Sequence, residues 1–146
     1  MNHHTTSFRV RYAETDRMGY LYYGNYAAYF EVGRVELLRD CGVSYRDLED
    51  DGVLLPVRDF SVKYLRPAYY DELLSLETEI AELGRASVRF AYRLRNAAGD
   101  LLTTASTTLV FVDKTSGKPT APPRAVFDAL HKSLDEKNDV RFALHM

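Results

Sequence analysis

The residues best placed to do chemistry lie close together near the start of the chain. Asp16 follows a short alternating run, and Tyr23, Gly24 and Asn25 come seven to nine residues later, where an apolar periodicity of three and four residues begins. Attack on an acyl carbonyl needs a base or nucleophile, together with hydrogen-bond donors that meet the oxygen as it becomes an anion. A carboxylate supplies the first. Unpaired N–H groups at a helix start supply the second, aided by the helix dipole. A loop of this length can fold Asp16 back over that helix end. Taken singly, the same residues have plainer roles: an Asp after a strand commonly closes a turn with its side chain, and Asn25 stands where a helix cap is expected.

The elements that must position these groups are legible as periods. Phe8, Val10 and Tyr12 alternate with Arg9, Arg11 and Ala13, which predicts a first strand. Tyr26, Tyr29, Phe30, Gly33, Leu37 and Cys41 recur at helical steps, predicting one long helix over 25–41 with Asn25 capping it and Gly42 stopping it. Gly33 lies on the apolar stripe of that helix, so a sheet is expected to press against it. Residues 44–51 predict a short second helix. Phe60, Val62 and Tyr64, then Leu74, Leu76, Thr78 and Ile80, then Val88, Phe90, Tyr92 and Leu94 mark three strands, with Glu and Arg on neighbouring polar faces able to pair. A final strand over 101–112 is rich in Thr, Ala and Ser, small enough for a helix to lie close, and Pro122-Pro123 opens a last helix reaching about residue 134. Consecutive strands joined by short turns make an antiparallel sheet, and the apolar helix must be covered by it. The expected architecture is therefore α+β in a single domain over 1–146, with its core at about 8–113.

Composition narrows the function. Nineteen Lys and Arg against 21 Asp and Glu leave a charge of -2, which disfavours nucleic acid as a partner. The one cysteine, Cys41, cannot form an internal disulfide, and no Cys/His cluster has metal-ligand spacing. His3 and His4 are expected to be solvated on a frayed terminus. With no signal-like start and no apolar run of roughly 18 residues, a cytoplasmic protein without a membrane span is expected.

The run Arg11-Tyr12-Ala13-Glu14-Thr15-Asp16-Arg17-Met18-Gly19-Tyr20-Leu21-Tyr22-Tyr23-Gly24-Asn25-Tyr26, followed by Phe30-Glu31-Val32-Gly33-Arg34-Val35-Glu36-Leu37-Leu38-Arg39, resembles the signature of hotdog-fold acyl-CoA thioesterases of the 4-hydroxybenzoyl-CoA thioesterase class. The block Tyr64-Leu65-Arg66-Pro67-Ala68-Tyr69-Tyr70-Asp71-Glu72-Leu73 is similar to the second recurring block of that class. The resemblance implies a hotdog fold, with the sheet wrapped around the helix. It implies homodimers or homotetramers in which sheets join edge to edge, and acyl-CoA clefts at the subunit interface. It makes Asp16 the catalytic carboxylate, as base or nucleophile, and the backbone N–H groups of Tyr23 and Gly24 the carbonyl-polarising donors. Coenzyme A is then part of the substrate, with no separate cofactor and no metal, and acyl carrier protein is an alternative carrier.

This sequence departs from that pattern at Tyr23, where many relatives carry His. A neutral phenol cannot act as a base near pH 7. Tyr20, Tyr22, Tyr26 and Tyr29 crowd the same region as core or as acyl-pocket wall, and Tyr22 and Asn25 are candidate substrate contacts. Glu31, Arg34 and Glu36 read as solvated or interface charges, with a buried supporting role as the sharper alternative. The phosphates of coenzyme A call for cations at the cleft mouth, and Arg85, Ser87, Lys114, Lys118 and Arg124 are the candidates. Two functions remain: a thioester hydrolase, or a non-catalytic acyl-CoA or acyl-carrier-protein binding module on the same fold. A dehydratase is disfavoured, because the loop and helix lack the His it requires.

Overall fold

The computed structural model describes residues 3–145, with side chains described as far as residue 134. Strand β1 (His3–Arg9) leads through the Asp16 segment to helix α1 (Tyr26–Asp40) and the short helix α2 (Tyr45–Asp50). There follow β2 (Val53–Leu54), β3 (Val57–Tyr64), β4 (Leu73–Leu83), β5 (Ser87–Arg95), β6 (Leu101–Val110), β7 (Val112–Asp113) and helix α3 (Arg124–His145). The main sheet has the order β1-β4-β5-β6-β3 with every pairing antiparallel, while β2 and β7 form a small ladder of their own. The expected α+β arrangement of one long helix against an antiparallel sheet is present.

Helix α1 buries Tyr26, Tyr29, Phe30, Leu37 and Leu38 against Leu74, Leu76 and Ile80 of β4 and Phe90 and Tyr92 of β5. Each large apolar side chain so removed from water contributes roughly 1.5–3 kcal/mol. Gly33 sits where the helix meets the sheet. A Cβ there would stand 2.8 Å from Leu76 Cδ2 and closer still to Thr78 Oγ1, so only glycine allows this approach. The helix lies mainly on β4 and β1, with β5 next. Across the outer face, Arg93 and Arg95 pair with Glu77, and Arg89 with Glu82, as the alternation predicts.

Three local expectations are corrected. The first strand begins earlier and stops sooner. His3 and His4 pair with Glu79 and Thr78 of β4, and His4 Nδ1 lies 2.5 Å from Asp40 Oδ2, so neither residue is frayed, although His3 is exposed. Tyr12 is 78% exposed rather than inward, because the Arg11 N–H and guanidinium both bond the Glu14 carboxylate and bend the chain into a 3₁₀ turn over Tyr12–Glu14. The last helix continues beyond 134 to His145. Arg34 is buried at 8% exposure. Its Nε bonds the Tyr45 hydroxyl at 3.1 Å and its guanidinium meets Tyr92, whose hydroxyl shares a 2.6 Å hydrogen bond with Thr107. Of the two roles open to Arg34, the buried one holds, in a closed polar cluster joining α1, α2, β5 and β6.

Candidate active site

The segment between β1 and α1 folds back on itself. Asp16 N–H bonds the Tyr20 carbonyl at 2.9 Å, Thr15 bridges Leu21, and Tyr22 N–H reaches the Glu14 carbonyl at 2.8 Å. Gly19 takes φ +80° at the tip, a conformation few other residues adopt without strain. The Asp16 carboxylate closes this turn: Oδ1 accepts the N–H groups of Met18 at 2.9 Å and Tyr20 at 3.3 Å. The plain role of a turn-closing Asp is therefore real. It occupies one oxygen and leaves Oδ2 without a hydrogen-bond partner among the described residues.

The turn delivers the chain to the helix start. Tyr23–Asn25 form a 3₁₀ turn running directly into α1, and the first of its amides to close a bond is that of Asn25, to the Tyr22 carbonyl at 2.9 Å. The N–H groups of Tyr23 and Gly24 precede that bond, as do the first amides of any helix. Asn25 does not cap the helix with its side chain. Because the 3₁₀ turn has already begun the spiral, its Nδ2 points back and donates to the Glu14 carbonyl at 2.9 Å.

Asp16 and Tyr23 face one open cleft of about 350 Å³, completed by Met18, Tyr20, Leu21, Tyr26 and, from the end of β3, Tyr64, Leu65, Arg66 and Pro67. The structure thus brings together the carboxylate and one of the two proposed amide residues. Gly24, Tyr22 and Asn25 do not line the cleft, although Tyr22 packs its ring on Tyr23 at 4.8 Å. Tyr20 and Tyr26 do line it, so part of the tyrosine cluster is cleft wall and part, such as Tyr29, is core. The contribution of residues 64–67 was not expected. Its only signal was the second sequence block, which reads equally well as a strand end and turn.

Glu14 also had no predicted role. Its Oε1 accepts the Tyr29 hydroxyl at 2.7 Å and the Arg11 N–H at 2.9 Å. Burial pushes the Glu14 carboxyl up, but these hydrogen bonds and the Arg11 guanidinium outweigh it and hold the group below the usual carboxylate range. Burial and the same contact raise the Tyr29 hydroxyl well above an ordinary phenol.

The candidate phosphate contacts divide. Arg85 and Arg124 both line a second cleft of about 290 Å³, together with Ala121, Pro122 and Phe127. Ser87 opens β5 and lines neither cleft. Lys114 and Lys118 are exposed on the turn after β7 and line neither cleft. The two clefts share no lining residue. Among the described residues, no three His, Cys, Asp or Glu side chains converge as metal ligands, and no helix is long and apolar enough to cross a membrane.

The fold and the cleft can now be set beside known proteins. The family model described as the thioesterase-like superfamily matches residues 10–130, from the end of β1 into α3. The chain belongs to that superfamily. It is 36% identical over 118 residues to the acyl-CoA thioester hydrolase YbgC of Escherichia coli O6:H1, spanning 81% of this chain and 88% of that one. With YneP of Bacillus subtilis it shares 42% identity over 110 residues, 75% of this chain and 80% of its relative. A DHNA-CoA thioesterase from Staphylococcus aureus superposes with a TM-score of 0.86 at 34% identity, covering 98% of this chain and 95% of the other. Membership of this superfamily accounts for the α1-and-sheet arrangement as a hotdog fold, and with relatives named as thioester hydrolases it places the chain among the thioester hydrolases.

Proposed function

We propose that this thioester hydrolase acts on acyl-CoA and that Asp16 carries the chemical step, with the helix-start amides receiving the carbonyl oxygen. The observation that supports it is the convergence of Asp16 and Tyr23 on one cleft at the beginning of α1. The Met18 and Tyr20 amides orient the carboxylate through Oδ1, and Oδ2 faces the reaction. As general base, Oδ2 takes a proton from water while the water oxygen attacks the thioester carbon. As nucleophile, it attacks that carbon itself and water releases the acyl group afterwards. In both cases the carbon–sulfur bond breaks, the coenzyme A sulfur leaves and is protonated, and the acid is freed. The oxygen gains negative charge as the bond forms, which is when the Tyr23 amide, backed by the Gly24 amide and the helix dipole, stabilises it most. No cofactor enters this scheme. Acyl carrier protein thioesters are the second substrate class it accommodates.

The same reading puts the site at an interface between two copies of the chain. Strand β3 lies at the edge of the sheet and leaves Val57, Phe60, Tyr64 and Leu65 more than two-fifths exposed. A long apolar edge of this kind is stable when paired. Pairing it with a second copy covers the β3 end of the Asp16 cleft and brings a second set of Arg85 and Arg124 into the assembly, ready for the coenzyme A phosphates. Light scattering at micromolar concentration should report at least twice the 16.7 kDa of one chain. A monomer that turns over acyl-CoA would contradict the interfacial site.

The test of the chemistry is release of free thiol from a panel of acyl-CoAs. The wild-type chain should turn over at least one of them, and Asp16→Asn should lower kcat by about 100-fold or more on the best substrate. Wild-type kcat in that variant would remove Asp16 from the mechanism.

A further inference from the structure

We propose that Glu14 is a positioning residue that fixes the Asp16 turn against the first turns of α1, an inference resting on the assignment of the chemical step to Asp16. Glu14 grips the helix at two points. Its backbone carbonyl accepts the Asn25 Nδ2 at 2.9 Å, and its carboxylate accepts the Tyr29 hydroxyl at 2.7 Å. Asn25 and Tyr29 are four residues apart, so they share one face of the helix, one turn above the other. One attachment would leave the helix free to swivel about it; two along the same face set both its distance and its rotation relative to the turn. The same carbonyl also holds Tyr22 N–H at 2.8 Å, at the residue just before the Tyr23 amide. From the other side, Arg11 completes the anchor through its N–H and guanidinium, at 2.9 and 3.2 Å. Asp16 is two residues further along the chain.

Glu14 cannot serve as a reactant at the proposed site. Its carboxylate does not line the Asp16 cleft. It faces a different one, with Tyr29, Phe8, Arg9 and Val32, and its side chain is only 13% exposed. A side chain on the far side of the turn, bonded to the helix start, can influence the reaction only through where it holds Asp16 against that helix. That influence is large in principle, since misplacing reacting groups by about 1 Å can cost about 100-fold in rate.

The experiment uses Tyr29→Phe, which removes one hydroxyl and keeps a ring packed 4.4 Å from Phe8, and Asn25→Ala, which removes the other attachment. Each should lower kcat by about tenfold with KM changed less than twofold. Glu14→Gln should fall less than Glu14→Ala, because the amide oxygen can still accept from Tyr29. In an Asp16→Asn background, Tyr29→Phe and Asn25→Ala should cause no further loss, since the group they position is gone. Wild-type kcat in folded Tyr29→Phe overturns the proposal, even if Asn25→Ala fails to fold. An unchanged tenfold loss in the Asp16→Asn background overturns it equally, by showing that the effect does not pass through Asp16. If Asp16→Asn alone keeps wild-type kcat, the underlying assignment has failed, and the positioning role falls with it.

Discussion

Helix α1 carries two polar sites that are built in opposite ways. At its start, Asp16 keeps one carboxylate oxygen without a partner among the described residues, Tyr23 is 67% exposed, and the first amides precede any helical bond. Two turns further on, Arg34 is buried, and Tyr45, Tyr92 and Thr107 close a cluster around it. Hydrogen-bonding capacity left open on a cleft is available to a substrate. The same capacity satisfied in the core is available only to the fold, and breaking it leaves buried donors unpaired. The difference separates groups that set rate from groups that set stability, although both lie on one helix within about 16 Å of rise.

The sharpest way to break this division is to cross the two measurements. Asp16→Asn, expected to lose about 100-fold in kcat, should keep thermal stability within about 0.5 kcal/mol, because an Asn Oδ1 can still accept the Met18 and Tyr20 amides. Tyr92→Phe should do the reverse. It leaves the Thr107 hydroxyl and part of the Arg34 guanidinium unpaired, so denaturant unfolding should show a loss of about 1–3 kcal/mol while kcat stays within twofold. A Tyr92→Phe protein of full stability and low kcat would erase the distinction. Within the open site, Gly24→Pro deletes an amide in the first turn, where helices tolerate proline, but it must push aside the Tyr22 ring, which stands 2.5 Å from where a Cβ would lie, so circular dichroism must first show a folded protein. Since Tyr23 and not Gly24 lines the cleft, kcat should fall by no more than about tenfold, and a loss of about 100-fold or more would make the Gly24 N–H a direct donor. Tyr23→Phe should have the smallest effect, under about threefold, because the proposed donor is backbone and the phenol is dispensable. A large loss there would hand the carbonyl oxygen to the hydroxyl.

How much of this was legible in the sequence depends on how far apart the interacting residues lie. Strand alternation at Phe8, the short helix α2 after Ser44 and the close approach at Gly33 all follow from local pattern. The meeting of Asp16 with the start of α1 was readable because a single short loop joins them. Asn25 was misread because its residue type suits a cap and a long-range bond equally, and its partner, Glu14, lies 11 positions back. Arg34 reads like any helix-surface charge until Tyr45 and Tyr92 are brought onto it by elements 11 and 58 residues along the chain. Arg85 and Arg124 share a cleft because α3 returns to the β4–β5 turn, whereas Lys114 and Lys118 are held out on the turn that Asp113 closes, which is tied back to Gly52 through the Lys114 N–H. Spacing along the chain could not separate those two outcomes.

The tyrosine wall of the Asp16 cleft also makes the protein its own optical probe. The chain has 11 tyrosines and no tryptophan, so its ultraviolet emission is tyrosine emission with no indole to mask it or drain its energy. Tyr20, Tyr23, Tyr26 and Tyr64 all border the cleft. An acyl group or nucleotide seated there changes the surroundings of more than a third of the emitters at once. Substrate and product binding can therefore be followed in the unlabelled protein, including in variants too slow to be assayed by turnover.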